Sequence, residues 1–175
     1  NAHEVRDPDD LRWIALGAAQ VARWNRQSDQ FTFLVSELFP DALAREEGYW
    51  PAHYESGLLF LEKYNQAETQ KSLDAAVKLN PNAADIHAAR AALHLQNYDL
   101  QPAETSIERA LECNPRHIEA HRLKADLMMA NFEVDEAAEQ LEATRKLNPA
   151  SEETLARLAA AYLVLDGYQQ DLTGT

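Results

Sequence analysis

The sequence predicts an all-α fold, an α-solenoid in which helix–turn–helix hairpins stack in series, and three observations point to it. The first is a repeat. Asn80-Pro81, Asn114-Pro115 and Asn148-Pro149 recur at 81, 115 and 149, a step of 34 residues. Aromatics at Tyr64, Tyr98 and Phe132 keep the same step, as do small residues at Gly57, Ala91, Ala125 and Ala159 and histidines at His53, His87 and His121. A period of this length fits one two-helix unit, which buries its apolar face only by stacking on its neighbours. The second is composition: 5 glycines in 175 residues, with alanine and leucine throughout, suits helices and not loops or turns. The third is apolar spacing, which follows the helical period inside each unit.

The unit 82–115 shows the pattern most plainly. Ile86, Ala89 and Leu93, with Ala88, Ala92 and Leu95, mark a first helix. A turn around Asn97-Tyr98-Asp99 follows, and Pro102 sits in the first turn of the next helix, where its missing N–H is not needed. Ala103, Ile107, Ala110 and Leu111 give that second helix its apolar face, and it ends before Asn114-Pro115, because proline disfavours helical geometry in the residue ahead of it. Acidic residues open the first helices at Asp85, Glu119, Glu152 and Glu153, where the positive end of the helix dipole favours them. The units 48–81 and 116–149 read the same way.

On these residues the chain resembles the tetratricopeptide-repeat (TPR) family, strongly over residues 46–166. The resemblance implies a right-handed superhelix of hairpins. Trp13-x-x-Leu16-Gly17 is similar to the opening of a TPR first helix, which implies a helix over 9–25. Its partner starts near Ser28-Asp29 and carries Phe31, Leu34, Val35, Leu38 and Phe39. From Gly17 to Gly57 is 40 residues, six more than one repeat, and Pro40 interrupts the second helix. Residues 9–47 are therefore expected to form a divergent hairpin whose second helix breaks near Phe39-Pro40. Residues 1–8 are expected to be a cleavage scar and flexible terminus, since Asn1-Ala2 lacks a methionine, and the sequence is silent on compartment. Departures from the family pattern are His where a bulky Trp is usual, and Thr69 where a small residue opens the second helix.

At the other end, 150–175 reads as the first helix of a truncated TPR, or a capping helix, from Ser151 to Asp166, followed by a tail. Its stripe of Leu155, Leu158, Ala159, Tyr162 and Leu165 is too apolar for a solvated cap. Either the array continues or this face meets a second chain, so self-association through the C-terminal helix is one expected possibility.

Composition and motifs exclude several function classes. A formal net charge of −13 repels phosphate backbones and anionic headgroups, which argues against nucleic acid and membrane surfaces as partners. No apolar run approaches the roughly 20 residues of a membrane span. The three histidines at the repeat step do not make a metal site, because equivalent positions in stacked hairpins lie roughly 10 Å apart, whereas zinc ligands converge to about 2 Å from the ion. His117 and His121 have the i, i+4 spacing of a metal-binding pair, but Ile118 stands where a metalloprotease needs its general-base Glu. Cys113 has apolar neighbours and no basic residue placed to activate it. No phosphate-binding glycine loop, Gly-x-Ser-x-Gly or Cys-x-x-Cys occurs. The carboxylates fall on expected solvated faces rather than in a pocket that would split their pKa values. No cofactor, metal or catalytic residue is expected.

What the resemblance implies instead is a groove. In the TPR family the first helices of successive units line a concave face that receives peptides or helices. Carried onto this sequence, the face comprises Tyr54, Leu58 and Leu61, then Asp85 and Leu95 with Ala88 and Ala92, then Glu119, Arg122, Asp126 and Met129, continued by Ala156 and Ala160. Some members grip a terminal carboxylate with a Lys and an Asn one turn apart. Here those places hold Tyr54/Leu58, Ala88/Ala92 and Arg122/Asp126, so that clamp is absent. An apolar floor with an acidic rim predicts a basic or amphipathic protein segment as ligand. The function expected is that of a non-catalytic protein-binding scaffold. The alternative is a docking segment of a larger enzyme, for the chain also resembles, loosely, the TPR segments of long bacterial proteins that carry a zinc-peptidase-like domain.

Overall fold

A computed structural model describes residues 17–18, 28–45 and 48–173 of the chain, and the helix expected over 9–25 with its Trp13 motif lies largely outside them, as do residues 1–8. Every regular element among the described residues is helical. In chain order these are α1 (Ser28–Phe33), a π-helical turn (Leu34–Leu38), α2 (Phe39–Arg45), α3 (Trp50–Glu62), α4 (Gln66–Leu79), α5 (Ala84–Gln96), α6 (Leu100–Cys113), α7 (Ile118–Ala130), α8 (Val134–Leu147) and α9 (Glu152–Thr173). First helices begin at 50, 84, 118 and 152 and second helices at 66, 100 and 134, each series stepping by 34. The chain divides after Asn82 into two units.

The recurring Asn-Pro pairs have a local cause. Asn80, Asn114 and Asn148 end α4, α6 and α8 with φ of −138°, −144° and −145°, the extended geometry that a following proline requires. Their backbone N–H groups still donate to Ala76, Ala110 and Thr144. The Asn80 and Asn114 side chains then accept the N–H two residues on, from Asn82 and Arg116, which tightens the turn between hairpins. The recurring aromatics have a backbone role too. Tyr64, Tyr98 and Phe132 occupy the left-handed region at φ 56°, 61° and 65°, in the turn between the two helices of each hairpin. Their rings stand in solvent, so a steric cost is carried there without compensating burial.

In the first unit, Leu34, Leu38, Phe39, Tyr49, Ala52 and Leu59 form a core, with Phe31 packed edge-on to Phe60 at 5.6 Å. The break expected at Phe39-Pro40 takes another form. Pro40 has no N–H for the carbonyl four residues back, and the turn before it widens so that Phe39 N–H donates to Leu34 O. The helical path then continues to Arg45. α3 and α4 pair closely at Gly57, where an added Cβ would come within 2.8 Å of the Leu73 side chain on α4.

In the second unit two clusters repeat one scheme. Ala91 of α5 packs with Ile107 and Ala110 of α6 and with Ala120 and Leu123 of α7. Ala125 of α7 packs with Ala137 and Leu141 of α8 and with Leu158 and Ala161 of α9. The last helix corrects the sequence expectation of an end at Asp166: α9 runs through Gly167 to Thr173. One glycine inside a helix costs only about 1 kcal/mol, and no proline follows to stop it.

Candidate functional site

In the second unit α5 packs against α7, and α7 touches α9, so the first helices lie side by side. Asp85 and Leu95 come from α5, Glu119, Arg122, Asp126 and Met129 from α7, and the exposed Ala156 and Ala160 from α9. Leu95 and Met129 pack partly onto the two cores and leave the rest of their surface open. Ala88 is buried and adds nothing to this face, while Ala92 is half-buried. In the first unit Tyr54, Leu58 and Leu61 stand half-buried on α3.

The charged members are tied to one another more than sequence suggests. Arg157 of α9 donates through Nε to both Asp126 carboxylate oxygens at 3.0 Å, and its Nη2 lies 3.7 Å from Glu119. Arg122 donates to Glu119 at 2.6 Å, to Ser151 Oγ at 2.6 Å and to Thr154 Oγ1 at 3.0 Å, with Glu153 at 3.5 Å. The cluster thus sets carboxylates Glu119, Asp126 and Glu153 against two guanidiniums, leaving a weaker acidic bias than a bare row of acids would give. Asp85 is engaged as well. His117, the N-cap of α7, accepts the Ala120 N–H on Nδ1 at 3.1 Å, which leaves Nε2–H to donate to Asp85 at 3.0 Å.

Sequence reasoning placed Glu119, Arg122 and Asp126 on the face but missed Arg157, Ser151 and Thr154, and missed His117 as the partner of Asp85. The signal exists: His117–Asp85, Arg122–Thr154 and Arg157–Asp126 lie 32, 32 and 31 residues apart. Those separations fall just short of one repeat, as contacts between adjacent first helices should.

The environments push the carboxyls in opposite directions. Burial raises Asp126 above the ordinary carboxylate range, opposed by Arg157. The hydrogen bond from His117 lowers Asp85. A lowered folded value means that the Asp85 contribution is complete above the unfolded pKa and is lost as pH falls through the folded one. The raised Asp126 has the reverse sign, costing stability as pH climbs from its unfolded toward its folded value. Asp85→Asn is therefore expected to lose less stability than the parent between about pH 5 and pH 3, the carboxylate range. Asp126→Asn is expected to lose more over the same interval. Urea unfolding at a series of pH values checks both slopes, and parallel curves for all three proteins would sink the assignment.

The remaining candidates have structural occupations. His121 Nε2 donates to Pro115 O at 2.9 Å, and Gln140 donates to His121 Nδ1 at 3.1 Å, so one ring nitrogen ties α7 to the turn before it and the other to α8. His87 is buried, and burial holds His53 below the usual imidazole range. Among the described residues no three His, Cys, Asp or Glu side chains gather as metal ligands would. Cys113 is a free, half-buried thiol at the end of α6. No helix among the described residues is long and apolar enough to cross a membrane.

No protein-family model matches the chain, and no curated protein matches it by sequence. Solved structures do. A thermophilic TPR protein of Thermus thermophilus, TTC0263, superposes with a TM-score of 0.72 at 21% identity, covering 92% of this chain and 84% of that one. The first TPR of Spaghetti (RPAP3), bound to the HSP90 peptide SRMEEVD, gives 0.61 at 17% identity over 67% of this chain and 95% of that one. The second TPR domain of human RPAP3, in complex with the HSP70 peptide SGPTIEEVD, gives 0.55 at 15% identity over 63% and 92%.

Proposed function

We propose that this chain, whose fold is that of tetratricopeptide-repeat hairpins, is a non-catalytic scaffold whose first-helix face holds a basic or amphipathic segment of a partner protein. The observation that supports this best is the face of α5, α7 and α9. Leu95 and Met129 keep apolar surface in solvent near the C-terminal ends of α5 and α7, while Asp85 and Glu119 stand near the N-terminal ends of the same two helices. The two RPAP3 domains hold peptides ending in acidic Glu-Val-Asp. This chain is itself acidic, with a formal net charge of −13, and its one arginine at a clamp position, Arg122, is spent on Glu119, Ser151 and Thr154. A ligand of the reverse sign suits it, with apolar side chains against Leu95 and Met129 and cations toward Asp85 and Glu153.

The test uses two synthetic amphipathic helices with the same leucine stripe, one with lysines and one with glutamates on the polar face. Fluorescence anisotropy at low salt is expected to show the lysine peptide binding at least about ten-fold more tightly, with Leu95→Ala and Met129→Ala each weakening it by about ten-fold. Equal affinity for both peptides, or indifference to both substitutions, removes the proposal.

A further inference from the structure

We infer that the cavity between α6 and α7 receives one arginine side chain from a basic segment of a partner protein. The cavity measures about 210 Å³ and lies wholly within the second unit. Ile107, Leu111, Leu127 and Met128 form its apolar wall, and its charges come from Glu104 and Glu108 of α6, Lys124 of α7 and Glu133, the N-cap of α8. On α7 the lining residues Lys124, Leu127, Met128 and Asn131 follow i, i+3, i+4, i+7 spacing. At 3.6 residues per turn that puts them on the side of the helix away from Arg122, Asp126 and Met129. The cavity is therefore separate from the first-helix face and does not depend on it.

The repeat shows what Glu108 lacks. Its counterpart one step of 34 on is Glu142, which Arg145 holds at 2.9 Å and the Tyr162 hydroxyl at 3.2 Å. Its counterpart one step back, Asp74, accepts the Gln70 amide at 2.8 Å. Where Glu142 has Arg145 and Tyr162, the same step gives Glu108 the apolar Leu111 and Met128, both of which line the cavity. No side-chain partner is provided for Glu108 or Glu133 among the described residues. Glu104 accepts only from the neutral Gln101 amide, at 3.1 Å, and the neighbouring Arg109 is paired with Glu112 at 2.9 Å. The wall thus sets three carboxylates against one ammonium, and a cation entering here takes the place that Arg145 fills in the next hairpin. A guanidinium suits it best, being planar, weakly hydrated and able to bond more than one carboxylate while its stem lies on Ile107 and Leu127. A lone cation between exposed carboxylates binds weakly. Carried on a segment that touches more of the protein, the same group adds its contribution without a second cost of association, so a protein side chain is the occupant.

The probe is a blocked pentapeptide, Ala-Ala-Arg-Ala-Ala, titrated into the whole chain at low salt and followed by the methyl signals of Ile107, Leu127 and Met128. A saturable shift with a millimolar dissociation constant is expected, and none with the same peptide carrying citrulline, the neutral isostere of arginine. Glu104→Gln with Glu108→Gln, both at exposed positions, is expected to weaken binding by about five-fold and leave the melting temperature unchanged. Lys124→Gln is expected to tighten it by about two-fold, a reversal of sign that a merely structural role would not give. The inference is overturned by no saturable shift at about 20 mM peptide, by equal affinity for the citrulline peptide, or by weaker binding to Lys124→Gln. It is also overturned if n-butylguanidinium binds as tightly as the pentapeptide, which would give the cavity to a small cation. The pentapeptide has no leucine stripe and is read at α6 and the far side of α7, so its failure and that of the first-helix face are told apart.

Discussion

Leu141→Ala is expected to lower the stability of the second unit by about 3–4 kcal/mol, in the upper part of the range for buried leucines. Leu141 is 1% exposed and sits in a buried cluster with Ala125, Ala137, Ala138, Leu158 and Ala161, against which Met128, Met129 and Leu165 pack from the edge. The four alanines have no rotamers with which to close a void, so the cavity left behind shrinks only as far as Met128 and Met129 can turn toward it, and most of the lost contacts are not recovered. Leu141→Met, which conserves volume and can bend to fit, is expected to cost less than about 1.5 kcal/mol. Urea midpoints followed by circular dichroism measure both. A loss under about 1 kcal/mol for the alanine variant would mean that the α7–α8–α9 core is looser than its exposure values say. Because stability in stacked hairpins is a sum of unit and interface terms, the transition is also expected to broaden, with α8 and α9 unfolding first.

That prediction draws on features legible in the sequence. The step of 34 places Leu141 in register with Ile107 and Leu73, and all three prove buried against the small residue of their own hairpin. The hairpin turns were legible too, because proline after asparagine fixes an extended residue locally, without help from the rest of the chain. The π-turn ahead of Pro40 was not. A missing N–H announces a disturbed helix, but whether the helix ends or widens depends on how well the flanking residues are buried, and Leu34, Leu38 and Phe39 are almost wholly so. The end of α9 was illegible for a related reason. Gly167 carries a small intrinsic penalty, and a small penalty is overridden by whatever the following turn gains from remaining helical.

The charged residues of the first helices could be listed from the sequence, but their interactions could not. Within one helix, opposite charges three or four apart announce themselves, and Arg109–Glu112 and Lys71–Glu68 do pair as that spacing suggests. The pairs that brace α7 to α9 span 29 to 32 residues, and no local rule proposes them. Only after the hairpins are stacked does a separation just under one repeat become a contact. This changes what the acids on the face can do. Asp126 and Glu119 first hold arginines, and a charge reversal at either would break the brace as well as any partner contact.

The cost of breaking that brace can be stated. Arg122→Ala is expected to destabilise the second unit by about 2–3 kcal/mol, since it removes charge-assisted hydrogen bonds from a guanidinium that is mostly out of water. Its side chain is 13% exposed, against 44% for Arg109, whose pair with Glu112 lies open at 65% on the acidic side. Arg109→Ala is therefore expected to leave stability almost unchanged, as substitutions in screened surface pairs do. Arg122→Lys is expected to recover less than half of the loss. One ammonium cannot reach Glu119, Ser151 and Thr154 from a single plane as the guanidinium does. Raising the salt from about 0.05 to about 0.5 M, a change that shortens screening from more than about 10 Å to about 4 Å, is expected to erase the Arg109 effect and leave most of the Arg122 effect. Equal costs for the two alanine variants at both salt concentrations would show that Arg122 acts as an ordinary surface charge. The stacking of α9 on α7 would then rest on the Arg157–Asp126 pair and on the packing of Ala125, Leu158 and Ala161.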